Sequence, residues 1–227
     1  MSASEAVEGD ERRRDAERTK SELLAVATEE FARRGLSGAR VDEIAARTRT
    51  TKRMIYYYYG GKEQLYTAVL EKAYGEIRAA EQAVDVTHMD PVAAIRQLAE
   101  LTFDHHEAHP SFVRLVSIEN THDAVHIARS PTLSNLAAPA LDVIGQILDA
   151  GRASGVFTGD ADALDVHMLI SSFCIFRIAN RHTFGALFGR DLADPALRGH
   201  YRAMVGDLVV AYLTSGARAR PPGPAGG

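Results

Sequence analysis

Residues 41–62, VDEIAARTRTTKRMIYYYYGGK, contain the pattern of two short amphipathic helices joined by a tight turn. Their apolar residues recur at helical spacing and give each helix one apolar face: Val41, Ile44 and Ala45 in the first, and Met54, Ile55 and Tyr58 in the second. Thr51 is a favourable N-cap for the second helix, and Gly60-Gly61 ends it. Because such faces are buried only against each other and a third helix, the stretch predicts a helix-turn-helix.

The opposite face of the second helix carries five side chains suited to DNA: Thr51, Lys52, Arg53, Tyr56 and Tyr57. Positive charges and hydroxyl groups bind phosphate oxygens and base edges in a major groove. The alternative is a helix whose outer face is simply solvated. Such a face rarely carries four consecutive tyrosines, and we expect Tyr58 and Tyr59 to pack inward. The pattern therefore favours a DNA-reading helix.

Residues 14–70 as a whole resemble the DNA-binding domain of the tetracycline-repressor (TetR) family of bacterial regulators. The matching residues are Ala27, Phe31 and Gly35, then Val41, Ile44 and Ala45, then Thr51, Lys52, Ile55, Tyr56, Tyr59 and Gly60, and finally Lys62, Glu63, Leu65 and Tyr66. The motif and this resemblance together predict eight DNA-binding residues: Arg40, Arg49, Thr51, Lys52, Arg53, Tyr56, Tyr57 and Lys62.

The turn of the motif departs from the family pattern. The family usually has a small residue and then glycine where this chain has Thr48-Arg49. A non-glycine residue in a left-handed conformation costs about 1–2 kcal/mol. Either the turn has a different conformation here, or the strain is tolerated because Arg49 reaches a phosphate.

The composition is ordinary for a globular protein, with 46% hydrophobic and 25% charged residues among 227. The net charge of −4 hides an uneven distribution, since residues 11–62 carry 13 Lys and Arg against 8 Asp and Glu, a net +5 that suits a DNA surface. Cys174 is the single cysteine, which excludes an intramolecular disulfide. The sequence has neither an apolar run of roughly 20 residues nor a signal peptide, so we expect a cytoplasmic protein with no membrane partner.

The apolar periodicity predicts an all-α protein of about nine helices. We assign residues 1–11 to a disordered tail, residues 12–62 to the helix-turn-helix DNA-binding domain, residues 63–215 to a larger helical ligand-binding and dimerisation domain, and residues 216–227 to a second disordered tail. The charged run Glu11–Arg14 is either the solvated start of the first helix or an arm that reaches DNA.

The resemblance also implies roles for the larger domain. A helix over residues 62–84 would connect the two domains and transmit ligand binding to the DNA-reading helices. The last two long helices, predicted over residues 162–187 and 194–214, would form a four-helix interface between the subunits of a homodimer. Residues 109–120, HPSFVRLVSIEN, resemble the ligand-binding half of the family branch that includes the pyrimidine-responsive regulators.

Ligand pockets of this kind have apolar walls and few polar groups. The candidate ligand-binding residues are Phe103, His106, Phe112, Ile118, Phe173, Phe176, Arg177 and Asn180. Arg177 lies in the most apolar helix, and a buried arginine must be paired. Arg177 would pair with an internal acid such as Glu119 or Asp165, or with an acid of the other subunit. Alternatively, its guanidinium would anchor a carboxylate ligand.

The histidines raise a second hypothesis, because His105 and His109 have the spacing of a two-histidine metal site on a helix. This spacing would suit a metal-sensing regulator or a metal-dependent helical-bundle enzyme. However, no carboxylate or cysteine completes a recognisable motif, and no catalytic set or Gly-rich phosphate loop stands out. We therefore assign no metal, no cofactor and no enzyme activity.

These observations predict a ligand-responsive, sequence-specific transcriptional regulator, and a repressor rather than an activator. A homodimer with two DNA-reading helices requires double-stranded DNA with a palindromic operator. We expect a small organic effector to release the protein from that operator.

Overall fold

The computed structural model describes the backbone of residues 3–216 and the side chains of residues 13–216. Within these residues the chain forms twelve α-helices and one short 3-10 helix, and no strand. The helices are α1 (Ala3–Gly38), α2 (Val41–Ala46), α3 (Lys52–Tyr59), α4 (Lys62–Gln82), α5 (Pro91–Ala108), α6 (Pro110–Thr121), α7 (Val125–Arg129), α8 (Pro131–Asn135), α9 (Ala137–Ala153), α10 (Ala163–Ala179), α11 (Arg181–Phe188) and α12 (Arg198–Thr214). The prediction of an all-α fold is confirmed.

The first compact unit comprises residues 1–73 and 114–133. Its core contains three of the six apolar-face residues predicted for the helix-turn-helix, namely Val41 and Ile44 of α2 and Ile55 of α3, whereas Ala45, Met54 and Tyr58 are only half-buried. The other buried residues of this core include Leu23, Ala27 and Phe31 of α1 and Leu65, Val69 and Leu70 of α4. This unit extends past residue 62, where we had placed the domain boundary, and includes the second half of α6 and all of α7.

Helix α1 differs from the sequence prediction at its start. The helix begins at Ala3, so residues 3–11 are helical where we predicted a disordered tail. Alanine and glutamate, which account for five of these nine residues, have high helix propensity, and this favours continuation of the helix through the stretch. Near its other end, Gly35 has φ 66 and ψ 176, a conformation that interrupts the helix and that glycine adopts without a steric penalty. Of the second predicted tail, residues 217–227 lie outside the described residues.

The second compact unit comprises residues 74–113 and 134–227. Helix α5 packs against α9, α10 and α12, and the core between them is apolar. Its most deeply buried members include Ile95 and Phe103 of α5, Ile144 and Ile147 of α9, Val166 of α10, and Val205 and Val209 of α12. Side chains at helix starts support this arrangement, since Asp90 caps α5 and Asp162 forms a capping box with Asp165 at α10.

The long helix predicted over residues 162–187 is broken in the structure. The apolar stretch 162–187 divides at Asn180 into α10 and α11, which are bent by 67°. The Asn180 side-chain amide donates to the Phe176 carbonyl at 3.3 Å, a local hydrogen bond that favours a helix end. Among the described residues no single helix is long and apolar enough to cross a membrane, although this bent pair passes by length and composition.

The packing of α9 makes a prediction about Gly151. A Cβ atom at Gly151 would lie 1.9 Å from Cδ2 of the buried Phe157 ring. Because overpacking a core costs about 1–3 kcal/mol, Gly151→Ala should lower the free energy of unfolding by that amount. Chemical denaturation followed by circular dichroism measures it. Gly145→Ala in the same helix is the control, since nothing lies within 4 Å of its added Cβ and it should stabilise by about 0.5–1 kcal/mol. Equal changes in the free energy of unfolding for Gly151→Ala and Gly145→Ala would contradict the close packing of Phe157 against Gly151.

Candidate nucleic-acid interface

Helix α3 is held by a cap at each end and by one buried side chain. The Thr51 hydroxyl oxygen accepts a hydrogen bond from the Met54 N–H at 3.3 Å, as its position in the sequence predicted. Gly60 ends the helix with φ 83, a conformation that glycine adopts without a steric penalty. Ile55 is fully buried. These contacts fix which side of α3 faces the core, so its other side is presented to solvent.

The outward side of α3 carries the five side chains predicted for DNA. Tyr57 is 78% exposed and Tyr56 is 46% exposed, and the side chains of residues 51–53 are exposed as well. Tyr58 and Tyr59 turn towards α1, where the Lys20 ammonium lies 5.6 Å from the Tyr58 ring centroid and the Tyr59 hydroxyl donates to the Lys20 carbonyl at 3.3 Å. The two outer tyrosines are therefore available for contact with DNA.

The cations around α3 fall into two groups. Lys52 forms an ion pair with Asp42 of α2 at 3.0 Å, and the Lys62 ammonium donates to the Ser37 carbonyl at 3.2 Å. By contrast, the exposed guanidinium groups of Arg40, Arg49 and Arg53 form no ion pair within residues 13–216. These three arginines need not break an internal contact to bind a phosphate.

The turn between α2 and α3 shows which of the two alternatives for Thr48-Arg49 holds, a different turn conformation or a strained left-handed residue. Among the described residues, the non-glycine residues with positive φ are Asp123 and Ala124, so neither residue of this turn is left-handed. The Thr48 hydroxyl donates instead to the Ile44 carbonyl at 3.1 Å, which holds the turn without glycine. The turn thus has a conformation that does not need strain relief from Arg49.

Comparison with known proteins agrees with this geometry. Residues 23–69 match the family model for bacterial regulatory proteins of the tetR family. Residues 91–209 match the model for the tetracyclin repressor-like C-terminal domain. The chain belongs to the TetR family of bacterial transcriptional regulators.

Individual relatives support the same assignment. The chain is 34% identical over 202 residues to the HTH-type transcriptional repressor NicS of Pseudomonas putida, covering 89% of this chain and 95% of NicS. It is 30% identical over 100 residues to the HTH-type transcriptional regulator RutR of Escherichia coli, covering 44% of this chain and 47% of RutR. The RutR match supports in part the family branch expected from the sequence.

Solved structures have the same fold. The transcriptional regulator SCO4942 from Streptomyces coelicolor aligns with a TM-score of 0.61 at 28% identity, covering 84% of this chain and 97% of that one. A regulatory protein of the tetR family from Rhodococcus RHA1 aligns with a TM-score of 0.68 at 18% identity, covering 86% of this chain and 96% of that one. At 18% identity the second match shows the fold alone.

The residues predicted for ligand binding do not gather into one site. Phe173, Phe176 and Arg177 line an open groove of about 510 Å³ in the second unit, whose other walls include Leu169, Phe184, Leu192, Tyr201, Met204 and Leu208. The groove contains residues that the sequence did not suggest, because they come from separate helices and a loop that no spacing relates. Ile118 belongs to the first unit, and the Asn180 amide donates to the Phe176 carbonyl.

Arg177 has an internal partner that the sequence did not identify. The guanidinium is 4% exposed, forms an ion pair with Glu107 of α5 at 2.9 Å and donates to the Leu192 carbonyl at 2.8 Å. It also lies over the Phe103 ring, 4.1 Å from the centroid. The two acids we had considered have other roles, since Asp165 belongs to the α10 capping box and Glu119 lies in the first unit.

His106 and Phe112 belong to a separate aromatic cluster of the second unit. The Phe112 ring packs edge-on against the rings of Tyr74 and His106, with centroids 5.1 and 5.4 Å apart. The His106 Nδ1 lies 2.7 Å from the Thr102 carbonyl oxygen, which can only accept, so this nitrogen carries the proton. Burial lowers the pKa of His106 to about 4, and the ring is therefore neutral near pH 7.

The two histidines of the metal hypothesis contact each other through their ring faces. The centroids of His105 and His109 are 4.2 Å apart in a stacked arrangement, and the His109 Nδ1 lies 2.9 Å from the His105 carbonyl oxygen. In the described part of the chain, no group of three or more His, Cys, Asp or Glu residues is arranged to hold a metal ion.

Two histidines of α5, the buried His106 and the half-buried His105, predict a pH dependence of stability. Burial lowers the pKa of both His105 and His106 from 6.5 to about 4. Between these values the unfolded chain binds more protons than the folded one, so stability is complete above pH 6.5 and falls as the pH drops towards 4. His106→Gln should remove about 2 kcal/mol of the loss between pH 7 and pH 5. Urea unfolding at both pH values measures it, with the exposed His122→Gln as control. If the free energy of unfolding of His106→Gln fell between pH 7 and pH 5 as much as that of the wild type, the lowered pKa of His106 would be refuted.

Proposed function

We propose that this TetR-family regulator is a cytoplasmic homodimeric repressor that binds a palindromic operator and is released by a small organic effector. The outward face of α3 carries the proposal, because Tyr56, Tyr57 and Arg53 are exposed together, and Arg53 has no ion-pair partner among residues 13–216. Their phenol and guanidinium groups suit base edges and phosphates in a major groove. Arg40, Arg49, Thr51, Lys52 and Lys62 would supply further contacts. The name of NicS, a transcriptional repressor, supports repression over activation.

The apolar surface of α10 and α12 supports the homodimer. Large apolar side chains are exposed at intervals of four or eight residues, so that each helix presents one apolar stripe. Leu164, Met168 and Phe176 of α10 are 59%, 64% and 51% exposed, and Met204, Leu208 and Tyr212 of α12 are 39%, 42% and 36% exposed. Contiguous exposed apolar surface of this kind is typical of an interface. A two-fold axis through it would place two α3 helices on symmetric half-sites, which requires a palindrome.

The second unit offers chemistry for an organic effector. The aromatic cluster around His106 and Phe112 is buried, and a neutral imidazole can hydrogen-bond an uncharged polar group. Arg177 is a weaker candidate for anchoring a carboxylate, because Glu107 already balances its charge. An effector alters DNA binding only if its affinity differs between the two states of the protein.

Selection of bound duplexes from a random DNA pool tests the proposed function. The wild-type protein should enrich a palindromic consensus, which then serves as the operator in fluorescence anisotropy. Tyr57→Ala should cost about 1–3 kcal/mol of discrimination at one base position of each half-site. Arg53→Ala should weaken binding to all sequences and reduce the slope of log K against log salt concentration by about 1 per subunit.

The control for Arg53→Ala is Arg114→Ala, which removes an exposed arginine outside the helix-turn-helix. It should leave both the operator affinity and the consensus unchanged. Enrichment of no sequence by the wild-type protein, or equal losses in the two arginine variants, would contradict the assignment of α3 as the reading helix.

The homodimer makes a separate prediction. Met168→Glu places a charge in the apolar surface of α10, and burying an unpaired charge is unfavourable. The dimer dissociation constant should rise at least about tenfold, as measured by sedimentation velocity. Val125→Glu changes another exposed apolar residue, in the first unit, and should leave the dimer intact. A Met168→Glu protein that stays dimeric would exclude this surface as the interface.

A further inference from the structure

The junction between α6 and α7 connects two parts of the chain. Residues 114–133 pack in the first unit with the DNA-binding helices, although they lie within the region 91–209 that matches the C-terminal domain model. Helix α4 is unbroken between residues 73 and 74, and α6 is unbroken between residues 113 and 114, where the chain passes from one unit to the other. A change in either helix can therefore be passed along the backbone into the unit that holds α3.

A buried carboxylate holds this junction together. Glu119 of α6 is 1% exposed. Its Oε1 accepts from the Tyr66 hydroxyl of α4 at 2.9 Å and lies 3.0 Å from His126 Nδ1. Its Oε2 accepts from the backbone N–H groups of His126 and Ile127, in the first turn of α7, at 3.2 and 3.4 Å. One side chain thus joins three helices, and we call this set of contacts the Glu119 clamp.

The backbone held by the Glu119 clamp is strained. Asp123 and Ala124 have φ values of 57 and 53, a left-handed conformation in which a Cβ atom is crowded. Asparagine and aspartate tolerate this conformation, but alanine has no side-chain hydrogen bond to compensate. The Ala124 N–H donates to the Glu119 carbonyl at 2.8 Å. Glu119 therefore opposes the strain with both its carbonyl and its carboxylate.

The Glu119 clamp also reaches the core beneath the DNA-reading helices. The Tyr66 ring is fully buried and packs edge-on against both Phe31 of α1 and His126 of α7, with centroids 5.0 Å away in each case. A second contact ties the residue that follows α7 to α4, since the Ser130 hydroxyl donates to the Glu71 carboxylate of α4 at 2.7 Å. Movement of α7 would disturb the packing between α4 and α1.

We propose that Glu119 is the positioning residue through which this regulator controls its DNA-binding helices. The closed clamp holds the left-handed turn at Asp123 and Ala124 and keeps α4 in the conformation that binds the operator. Opening of the clamp relaxes the turn and releases α4. This inference rests on the proposed function, because it assigns the structural element that changes when the operator is released.

Two substitutions bias the Glu119 clamp in opposite directions. Glu119→Gln keeps the shape of the side chain but cannot accept all four hydrogen bonds, so it favours the open state. Ala124→Gly removes the crowded Cβ atom and favours the closed state. Tyr66→Phe keeps the ring, removes one hydrogen bond and should act like Glu119→Gln with a smaller effect. It serves as the test if Glu119→Gln fails to fold.

Hydrogen exchange and operator affinity are the two measurements, made without any effector. In Glu119→Gln, the amides of His126 and Ile127 should exchange at least about tenfold faster, and the operator dissociation constant should rise about five- to tenfold. Ala124→Gly should slow the same amides about two- to fivefold. The double variant Glu119→Gln/Ala124→Gly should recover at least half of the operator affinity that Glu119→Gln loses, measured on a logarithmic scale. If Glu119→Gln weakened binding only through poorer packing, Ala124→Gly would not restore the affinity.

The control is Glu22→Gln, which removes one exposed negative charge from the same unit. Charge alone should tighten DNA binding in both glutamine variants, so weaker binding by Glu119→Gln is specific to the clamp. Unchanged exchange at His126 and Ile127 would overturn the clamp. Faster exchange with unchanged operator affinity would overturn its coupling to DNA. Failure of the wild-type protein to select any operator would instead reject the proposed function, and the exchange measurement would still decide whether the clamp exists.

Discussion

The DNA-binding surface depends on the burial of a few apolar side chains between four helices. Helix α2 has six residues and α3 has eight, and helices of this length are not stable alone in water. They persist because Ile44 and Ile55 are fully buried, in a core that also contains the edge-on pair Phe31 and Tyr66. This core also fixes the rotation of α3 about its axis. The exposure of Tyr57 on the outer face is thus a consequence of where Ile55 is placed.

Much of this arrangement could be predicted because the decisive signals are local. The Thr51 cap, the glycine at residue 35 and the spacing of Val41 and Ile44 each act within one or two helical turns. The misplaced boundaries have a physical cause too. The break at Asn180 interrupts a stretch whose apolar residues continue on both sides, so periodicity alone does not reveal it. The start of α1 at Ala3 was missed because a small, acidic composition is shared by disordered tails and exposed helices.

The second compact unit was harder to predict because its decisive contacts are distant in sequence. Arg177 and Glu107 are 70 residues apart, and no motif relates them. Glu107 also pairs with Arg198, whose guanidinium contacts Asp104 at 2.6 Å. This network balances its own charges, which argues for a structural role of Arg177 between α5 and α10. A polar group meant to bind a charged ligand would instead be left without such a balance.

The domain defined by the family model and the compact unit defined by contacts differ in residues 114–133. These residues match the C-terminal domain model but pack with the helix-turn-helix, so the sequence boundary near residue 62 does not mark a boundary in contacts. A regulator in which each domain folded entirely by itself would have only a linker to transmit an effector signal. Here a buried carboxylate, Glu119, joins the end of α6 to α4 and to the first turn of α7. Strain at Ala124 reduces the free-energy cost of leaving this conformation, and in our proposal the Glu119 clamp is the element whose equilibrium an effector shifts.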